Sequence, residues 1–308
     1  MYSNEQLNAI HFSKLGFEFE FFSKNDVEDI KDTLSRTLEK KIRIEEKAHS
    51  DFIPTDKTFK LEPDNSGGGG MVELVTGPLP FTEAKLTLAK TLKWIKEHAS
   101  TNDKCSIHVS ISFDGKKLGP ESNISKLDIG KFVLNFNEDE VFEHFPHRKN
   151  SVYAKSIKFI VPLSNFHQQS PEKTLSKNYM FVSEKYYGVN FGKVPKGYIE
   201  FRYLGGKDYE EKYYKILHLT EHFILSLYES LTSPKYTEKD IKTLDAILEK
   251  HKGVIQGYKS YLKFKDNFPD IKLMVDLNSS QQIVEMFYPK MREKIFDIIT
   301  KAGLKEGW

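Results

Sequence analysis

An α+β fold is predicted, built on a curved antiparallel β-sheet packed with helices and followed by a helical C-terminal region. Three observations predict it. Segments before residue 207 alternate apolar and polar residues with the period of two that a strand imposes. Between them lie stretches with apolar residues at helical spacing. After Asp208 helical spacing takes over. The boundaries that follow are 1–207 for a strand-rich body and 208–308 for a helical region packed on the same unit, since no flexible linker separates them.

The anchor is Gly16-Phe17-Glu18-Phe19-Glu20-Phe21-Phe22. Phe17, Phe19 and Phe21 share one face of a strand running from about Ser13 to Phe22, and Glu18 and Glu20 share the other. Two residues at about 3.4 Å each set these carboxylates roughly 7 Å apart along the strand. Carboxylates that close repel unless a cation or protons lie between them. The pair therefore reads as one wall of a divalent-metal site, or as the water-facing side of an antiparallel strand, where glutamates are ordinary.

Around this strand the elements run in order. Residues 1–12 read as a polar lead-in. Asn25 or Asp26 can cap a helix from Val27 to Glu39 with Val27, Ile30, Leu34 and Leu38 on its stripe, and Lys41–Glu46 reads as a second strand. Residues 47–70 are polar and end in Asp64-Asn65-Ser66 and four glycines, a run without the Gly-Lys-Ser/Thr ending of a phosphate-binding P-loop. Met71–Thr76 is a strand, closed by Gly77-Pro78-Leu79-Pro80. Thr82, with Glu83, can start a helix over Ala84–Ala99, with Leu88, Leu92 and Ile95 buried. In Cys105–Ser112, Ile107, Val109 and Ile111 turn inward while Ser106, His108, Ser110 and Ser112 line the opposite face. A helix over Ile124–Phe136, an acidic turn at Glu138–Glu140 and a basic loop at Phe145–Asn150 come next. Residues 156–183 give no assignment. Tyr186–Phe191 and Tyr198–Tyr203 are strands joined by a turn at Lys193–Gly197, with Glu200 and Arg202 on one face of the second. Helices are expected over 209–231, Thr237–His251 and Ser279–Ala302.

Composition narrows the classes of function. A net charge of +2 over 308 residues gives no electrostatic case for nucleic acid. One cysteine, Cys105, excludes a disulfide framework and a cysteine-based zinc knuckle, and fits a reducing compartment and a small buried hydrophobe. No stretch approaches the ~20 apolar residues of a membrane span, and the N-terminus lacks a signal pattern, so a cytoplasmic protein is expected.

The polar faces of four strands carry Glu18 and Glu20, Glu73, His108, and Glu200 with Arg202. In one curved sheet they would form a carboxylate-rich surface with an imidazole. That donor set suits Mg²⁺, with Mn²⁺ as the alternative, and a metal there would hold nucleotide phosphates. Arginine forks suit the remaining phosphate oxygens. Each piece has an ordinary reading beside this one. Glu200 and Arg202 can form a surface ion pair, His108 can be hydrogen-bonded among serines, and Arg148 can be a solvated loop residue.

The ordered set of motifs resembles the amidoligase family of the carboxylate–amine ligase superfamily, similar to glutamine synthetase and glutamate–cysteine ligase. It runs through Gly-Phe-Glu-Phe-Glu at 16–20, Asp64-Asn-Ser with Glu73-Leu-Val-Thr-Gly-Pro-Leu, and Cys105-Ser-Ile-His-Val-Ser-Ile. It continues through Pro146-His-Arg148-Lys-Asn-Ser-Val-Tyr, Tyr187-Gly-Val-Asn190 and Ile199-Glu-Phe-Arg202-Tyr, covering roughly residues 13–207. The resemblance implies a glutamine-synthetase-like catalytic sheet and an ATP-dependent ligase that joins an amino-acid or peptide carboxylate to an amine through an acyl phosphate. Carried over, Glu18, Glu20, Glu73 and Glu200 are magnesium ligands, and His108 faces the metal and the nucleotide phosphates. Arg202 stabilises the transferring phosphoryl group and Arg148 holds phosphate or the substrate carboxylate. Asp64 helps with metal or amine, and Asn190 positions substrate. Ser110 stands where the family usually shows a second histidine, which raises the prospect of altered substrate choice or of a decayed enzyme. The competing readings are a non-catalytic binding or structural protein on the same scaffold, and a metal-dependent phosphohydrolase.

Overall fold

The structure, a computed structural model, describes residues 2–48, 50–64, 70–151, 154–159, 187–232 and 237–250. All belong to a compact unit spanning Met1–Lys252. The helix expected over Ser279–Ala302, the unassigned stretch from 160 to 183, Tyr186 and the glycines at 67–69 lie outside the described residues.

The chain opens with α1 (Asn4–His11), where a polar lead-in is expected. Ser3 and Gln6 form a reciprocal capping box, which satisfies two orphan amides of the first turn. β1 (Ser13–Phe22) follows as predicted, and α2 (Val27–Leu38) is capped by Asp26. Ile30, Leu34 and Leu38 are buried along α2, but Val27 at its first turn is 40% exposed rather than part of the stripe. β2 is Lys41–Ile44. The polar stretch 47–70 hides a strand, β3 (Thr58–Pro63), with Phe59 and Leu61 buried in the core. Then come β4 (Met71–Val75), the two-residue β5 (Leu79–Pro80) and α3 (Phe81–His98), whose start carries no side-chain cap from Thr82 or any other residue.

β6 is Ser106–Phe113 and α4 is the short Gly115–Leu118. The single helix expected over Ile124–Phe136 is instead a 3₁₀ turn at Ile124–Lys126 and then α5 (Ile129–Asn135). The break falls where Asp128 leaves helical geometry to accept from the Lys131 amide as N-cap. The acidic turn is in fact the first turn of α6 (Glu138–His144), where carboxylates face the positive end of the helix dipole. The basic loop is a 3₁₀ helix at Pro146–Asn150. The strand expected at Tyr186–Phe191 shrinks to β7 (Val189–Asn190), and the turn before the last strand is a 3₁₀ helix over Phe191–Lys196. β8 is Ile199–Gly205, α7 is Tyr213–Thr232 and α8 is Glu238–Lys250.

Among the described residues, eight strands form one sheet in the order β2-β3-β4-β1-β6-β8-β7, with β5 beside β1. Every pairing is antiparallel except β2 with β3. β1 is thus central, as its two-sided burial requires. The aromatic face meets helices. Phe21 touches Trp94 of α3 edge-on, and Phe201 of β8 stacks on Phe223 of α7 with centroids 4.2 Å apart. Phe132 and Phe136, at α5 and just past it, pack on Phe201 and Tyr203. α7 therefore closes the core over β8. No helix among the described residues is long and apolar enough to cross a membrane.

Candidate active site

Much of the opposite face of the sheet is also withdrawn from water, which overturns the reading of Glu20 as a residue of a solvated face, while the Glu18 side chain stays 30% accessible. Glu20, Glu73, His108, Glu200, Asn190 and Arg148 are each less than a tenth exposed. Arg148 is therefore no solvated loop residue, and Glu200 with Arg202 is no surface pair, their side chains being 5% and 16% accessible. Pairing register builds the site. Glu20 lies opposite Glu73, and Glu73 opposite Glu62 of β3, so three glutamates form one row across three strands. The next row sets Glu18 against His108. Ser110 lies opposite Glu200, and Glu200 opposite Asn190. Between Val109↔Phe201 and Ile107↔Leu204 the register slips by one residue, so Arg202 and Tyr203 together face His108. Arg202 keeps the polar face it shares with Glu200 by strand parity, and the bulge lets both Tyr203 and Leu204 lie in the core.

The side chains converge on the imidazole of His108. Its Nδ1 lies 2.8 Å from Glu18 Oε2 and its Nε2 3.6 Å from Glu20 Oε1. Two sets of donor atoms, Glu18–His108–Glu200 and Glu20–Glu73–His108, each lie within 4.8 Å of one another. The structure thus brings together all five residues expected from the sequence as metal ligands. Glu20 also accepts from the Ser106 amide at 2.7 Å, which fixes its carboxylate. Arg202 Nη1 donates to Glu200 Oε1, and Asn190 Nδ2 approaches Glu200 Oε2 at 3.4 Å. Asn190 Oδ1 is occupied by the Gly192 amide, so within the described residues Asn190 orients Glu200. Arg148 donates from Nη2 to the Arg202 carbonyl at 2.7 Å, tying the 3₁₀ helix to β8. Asp64 sits at the end of β3, half-buried, and its charge reaches Glu20, Glu73 and His108.

Electrostatics follow from burial. Burial pushes the Glu20 carboxyl up to about 7, with Asp64 adding to the rise and the Ser106 amide, Arg202 and Arg148 opposing it. Glu73 is held well above the carboxylate range by burial and then by the charges of Glu18, Glu20, Asp64 and Glu62. Glu18 is raised by burial against the pull of Arg202, Lys193 and Lys60. Burial, then the charge of Arg202, pushes His108 well below its ordinary value, so the ring is neutral, the form that ligates metals. A proton on Nδ1 shared with Glu18 leaves the Nε2 lone pair toward Glu20 and Glu73, the carboxylate–histidine arrangement that orients a ligating imidazole. Arg148 is lowered to about 10 by burial.

Five glutamates (18, 20, 62, 73 and 200) meet three cations (Lys60, Arg148 and Arg202) in this layer. Unpaired buried charge is costly, so the excess calls for protons or a divalent cation. Carboxylate oxygens with one neutral imidazole are the donor set of Mg²⁺ or Mn²⁺. A second observation concerns anions. The Nε atoms of both Arg148 and Arg202 are buried without a hydrogen-bond partner among the described residues. Unsatisfied buried guanidinium donors beside a cation site fit phosphate oxygens. The residues therefore suit both a divalent metal and a nucleotide phosphate.

Lys60 and Glu62 belong to this layer and are missed from sequence because β3 is. Lys60 Nζ pairs with Glu62 Oε1 at 2.9 Å, and Glu62 Oε2 accepts from the Ser50 amide. The signal was the alternation Phe59-Lys60-Leu61-Glu62.

No family model matches the sequence, and neither does any curated protein. Among solved structures, the crystal structure of a novel glutamine synthase homolog aligns over 92% of this chain and 73% of its own, with 9% identity and a TM-score of 0.34. A likeness this distant says nothing of activity.

Proposed function

We propose that the chain is an ATP- and Mg²⁺-dependent carboxylate–amine ligase on a glutamine-synthetase-like sheet, forming an amide or isopeptide bond through an acyl phosphate. The observation that carries this is the buried excess of glutamates around His108, next to two arginines with unused donors. Magnesium held by this wall would supply positive charge that offsets the charge built up during phosphoryl transfer. Glu20, Glu73 and His108 Nε2 form one ligand set, and Glu18 and Glu200 supply carboxylates on the other side of the ring. Arg202, fixed by Glu200, donates to the transferring phosphoryl group, and Arg148 holds a phosphate or the substrate carboxylate. Asp64, at the edge of the layer, accepts the incoming amine, and Asn190 holds Glu200 in place. The carboxylate oxygen of an amino acid or peptide attacks the γ-phosphorus and ADP leaves. The amine then attacks the acyl carbon, phosphate departs and the amine loses its proton. Burial of the layer keeps water from the acyl phosphate. Ser110, opposite Glu200, retains the strand parity without an imidazole, and His108 alone supplies the ring nitrogen. The buried Cys105 thiol fits a cytoplasmic location.

Hydroxylamine tests the chemistry without knowledge of the natural amine. With MgATP and a panel of amino acids and peptides, the reading predicts hydroxamate formation matched to ADP release, and its loss in Arg202→Ala. ADP release with no hydroxamate from any carboxylate would point to a phosphohydrolase instead.

A further inference from the structure

Glu138, the first residue of α6, is a buried carboxylate that the proposed chemistry does not use. It is 2% exposed, and among the described residues no cation stands in ion-pair contact with it. Three neutral donors hold it instead. Tyr203 Oη and the Ile157 amide both donate to Oε1, the amide at 2.8 Å, and Ser156 Oγ donates to Oε2. Accepting three bonds at once takes the lone pairs of a full carboxylate, which explains an acidic residue at this buried point. Tyr203 follows Arg202, and the two together face His108 across the slip in register. At a bulge the ladder is interrupted, so the strand must be anchored by other contacts. Tyr203 has three. Its hydroxyl goes to Glu138, its ring packs 5.8 Å from that of Phe136, and the Gly188 backbone presses on it so closely that a Cβ at 188 would fall 1.9 Å from a ring carbon. The Gly188 carbonyl accepts from the Arg202 amide and the Gly188 amide donates to the Lys155 carbonyl, both at 2.8 Å. Lys155 adjoins the two residues that Glu138 holds. The 3₁₀ helix after α6 carries Arg148, which reaches the Arg202 carbonyl. β8 is thus gripped at consecutive residues, Arg202 through Arg148 and Tyr203 through Glu138.

We propose that Glu138 is a positioning residue for Arg202: by holding the tip of Tyr203 and the segment 155–157, it locks the bulge that sets Arg202 opposite His108. The Arg202 guanidinium touches Glu200 within the polar layer, so its aim depends on where the backbone of residues 202 and 203 is fixed. Glu138 fixes it twice, through the Tyr203 side chain and through the path Ile157–Lys155–Gly188–Arg202. That Arg202 meets a phosphoryl group rests on the ligase reading, whereas its coupling to Glu138 does not.

The test compares full-length wild type with Tyr203→Phe, Glu138→Ala and Glu138→Gln. Tyr203→Phe deletes one hydroxyl and keeps the ring, so it reports even where Glu138→Ala fails to fold. Glutamine keeps an acceptor oxygen for Tyr203 and Ile157 and can donate to Ser156 Oγ, so Glu138→Gln should match the wild type. The first readout is the NMR signal of the Arg202 Nε–H group, assigned by its loss in Arg202→Lys, and it needs no ligand. Tyr203→Phe and Glu138→Ala should shift or broaden this signal and speed its exchange with water. An unchanged signal in Tyr203→Phe overturns the proposal. The second readout is calorimetric binding of a non-hydrolysable ATP analogue with Mg²⁺. Tyr203→Phe should weaken it about tenfold, and should have no further effect once Arg202 is replaced by alanine, the non-additivity of residues that act through one another. Equal losses in both backgrounds would overturn the proposal, since Tyr203 would then support the site by a route other than Arg202. If the wild type binds no analogue, the ligase reading fails, and the Arg202 signal alone decides the coupling to Glu138.

Discussion

Glu20 couples the fold to its proposed metal. A carboxyl held at about 7 by burial is half protonated at neutral pH, and a divalent cation must displace that proton. Magnesium affinity should therefore rise at least about tenfold between pH 6 and pH 8, as calorimetry at several pH values would show, since Glu73, raised well above the carboxylate range, holds a competing proton as well. A flat profile would mean that Glu20 is not a ligand. The same group shapes stability without metal. Its folded pKa is raised above the unfolded value, so the native state holds the extra proton between about 4.5 and about 7. Metal-free stability is therefore lost as pH rises through that window, by about 3 kcal/mol from this group alone. Chemical denaturation at pH 5 and pH 7.5, with and without Mg²⁺, checks the sign, and the metal should restore what the pH rise removes.

Secondary-structure elements differ in how openly the sequence declares them. β1, β6 and β8 carry bulky apolar residues on one face and polar ones on the other, so both their existence and their facing are legible. β3 alternates in the same way at Phe59–Glu62, but its polar surroundings masked it, and Lys60 and Glu62 were lost from the site with it. α1 was legible too, since Ser3 and Gln6 have capping-box spacing ahead of a short apolar stripe. Ser3→Ala should cost about 1 kcal/mol in denaturant unfolding, unless α1 contributes nothing to the cooperative unit. The residues of the site, Arg202 included, could be read from strand parity, whereas the bulge that sets both Arg202 and Tyr203 opposite His108 could not, because register is fixed by partners distant in the chain. The division of Ile124–Phe136 was equally hidden. Asp128 can serve as interior residue or cap, and packing decides between them.

At the largest scale, within the unit Met1–Lys252, α7 is a structural part of the body that bears the site. Phe223 of α7 lies flat on Phe201, whose neighbours Glu200 and Arg202 face the opposite layer. Phe223→Ala should destabilise the protein by about 3–5 kcal/mol. A chain ended at residue 207 should fail to unfold cooperatively, because Phe201 and Tyr203 would lose their cover. Cooperative melting of that truncated chain would show that the sheet stands without α7. The central claim, that the buried glutamate layer is a magnesium-dependent nucleotide site, is tested most directly by calorimetric titration of a non-hydrolysable ATP analogue with and without Mg²⁺, in the wild type and in Glu18→Gln. The account predicts magnesium-dependent binding in the wild type that is lost or strongly weakened in Glu18→Gln while the variant stays folded. No binding in the wild type at any Mg²⁺ concentration, or binding indifferent to both the metal and Glu18, would contradict it.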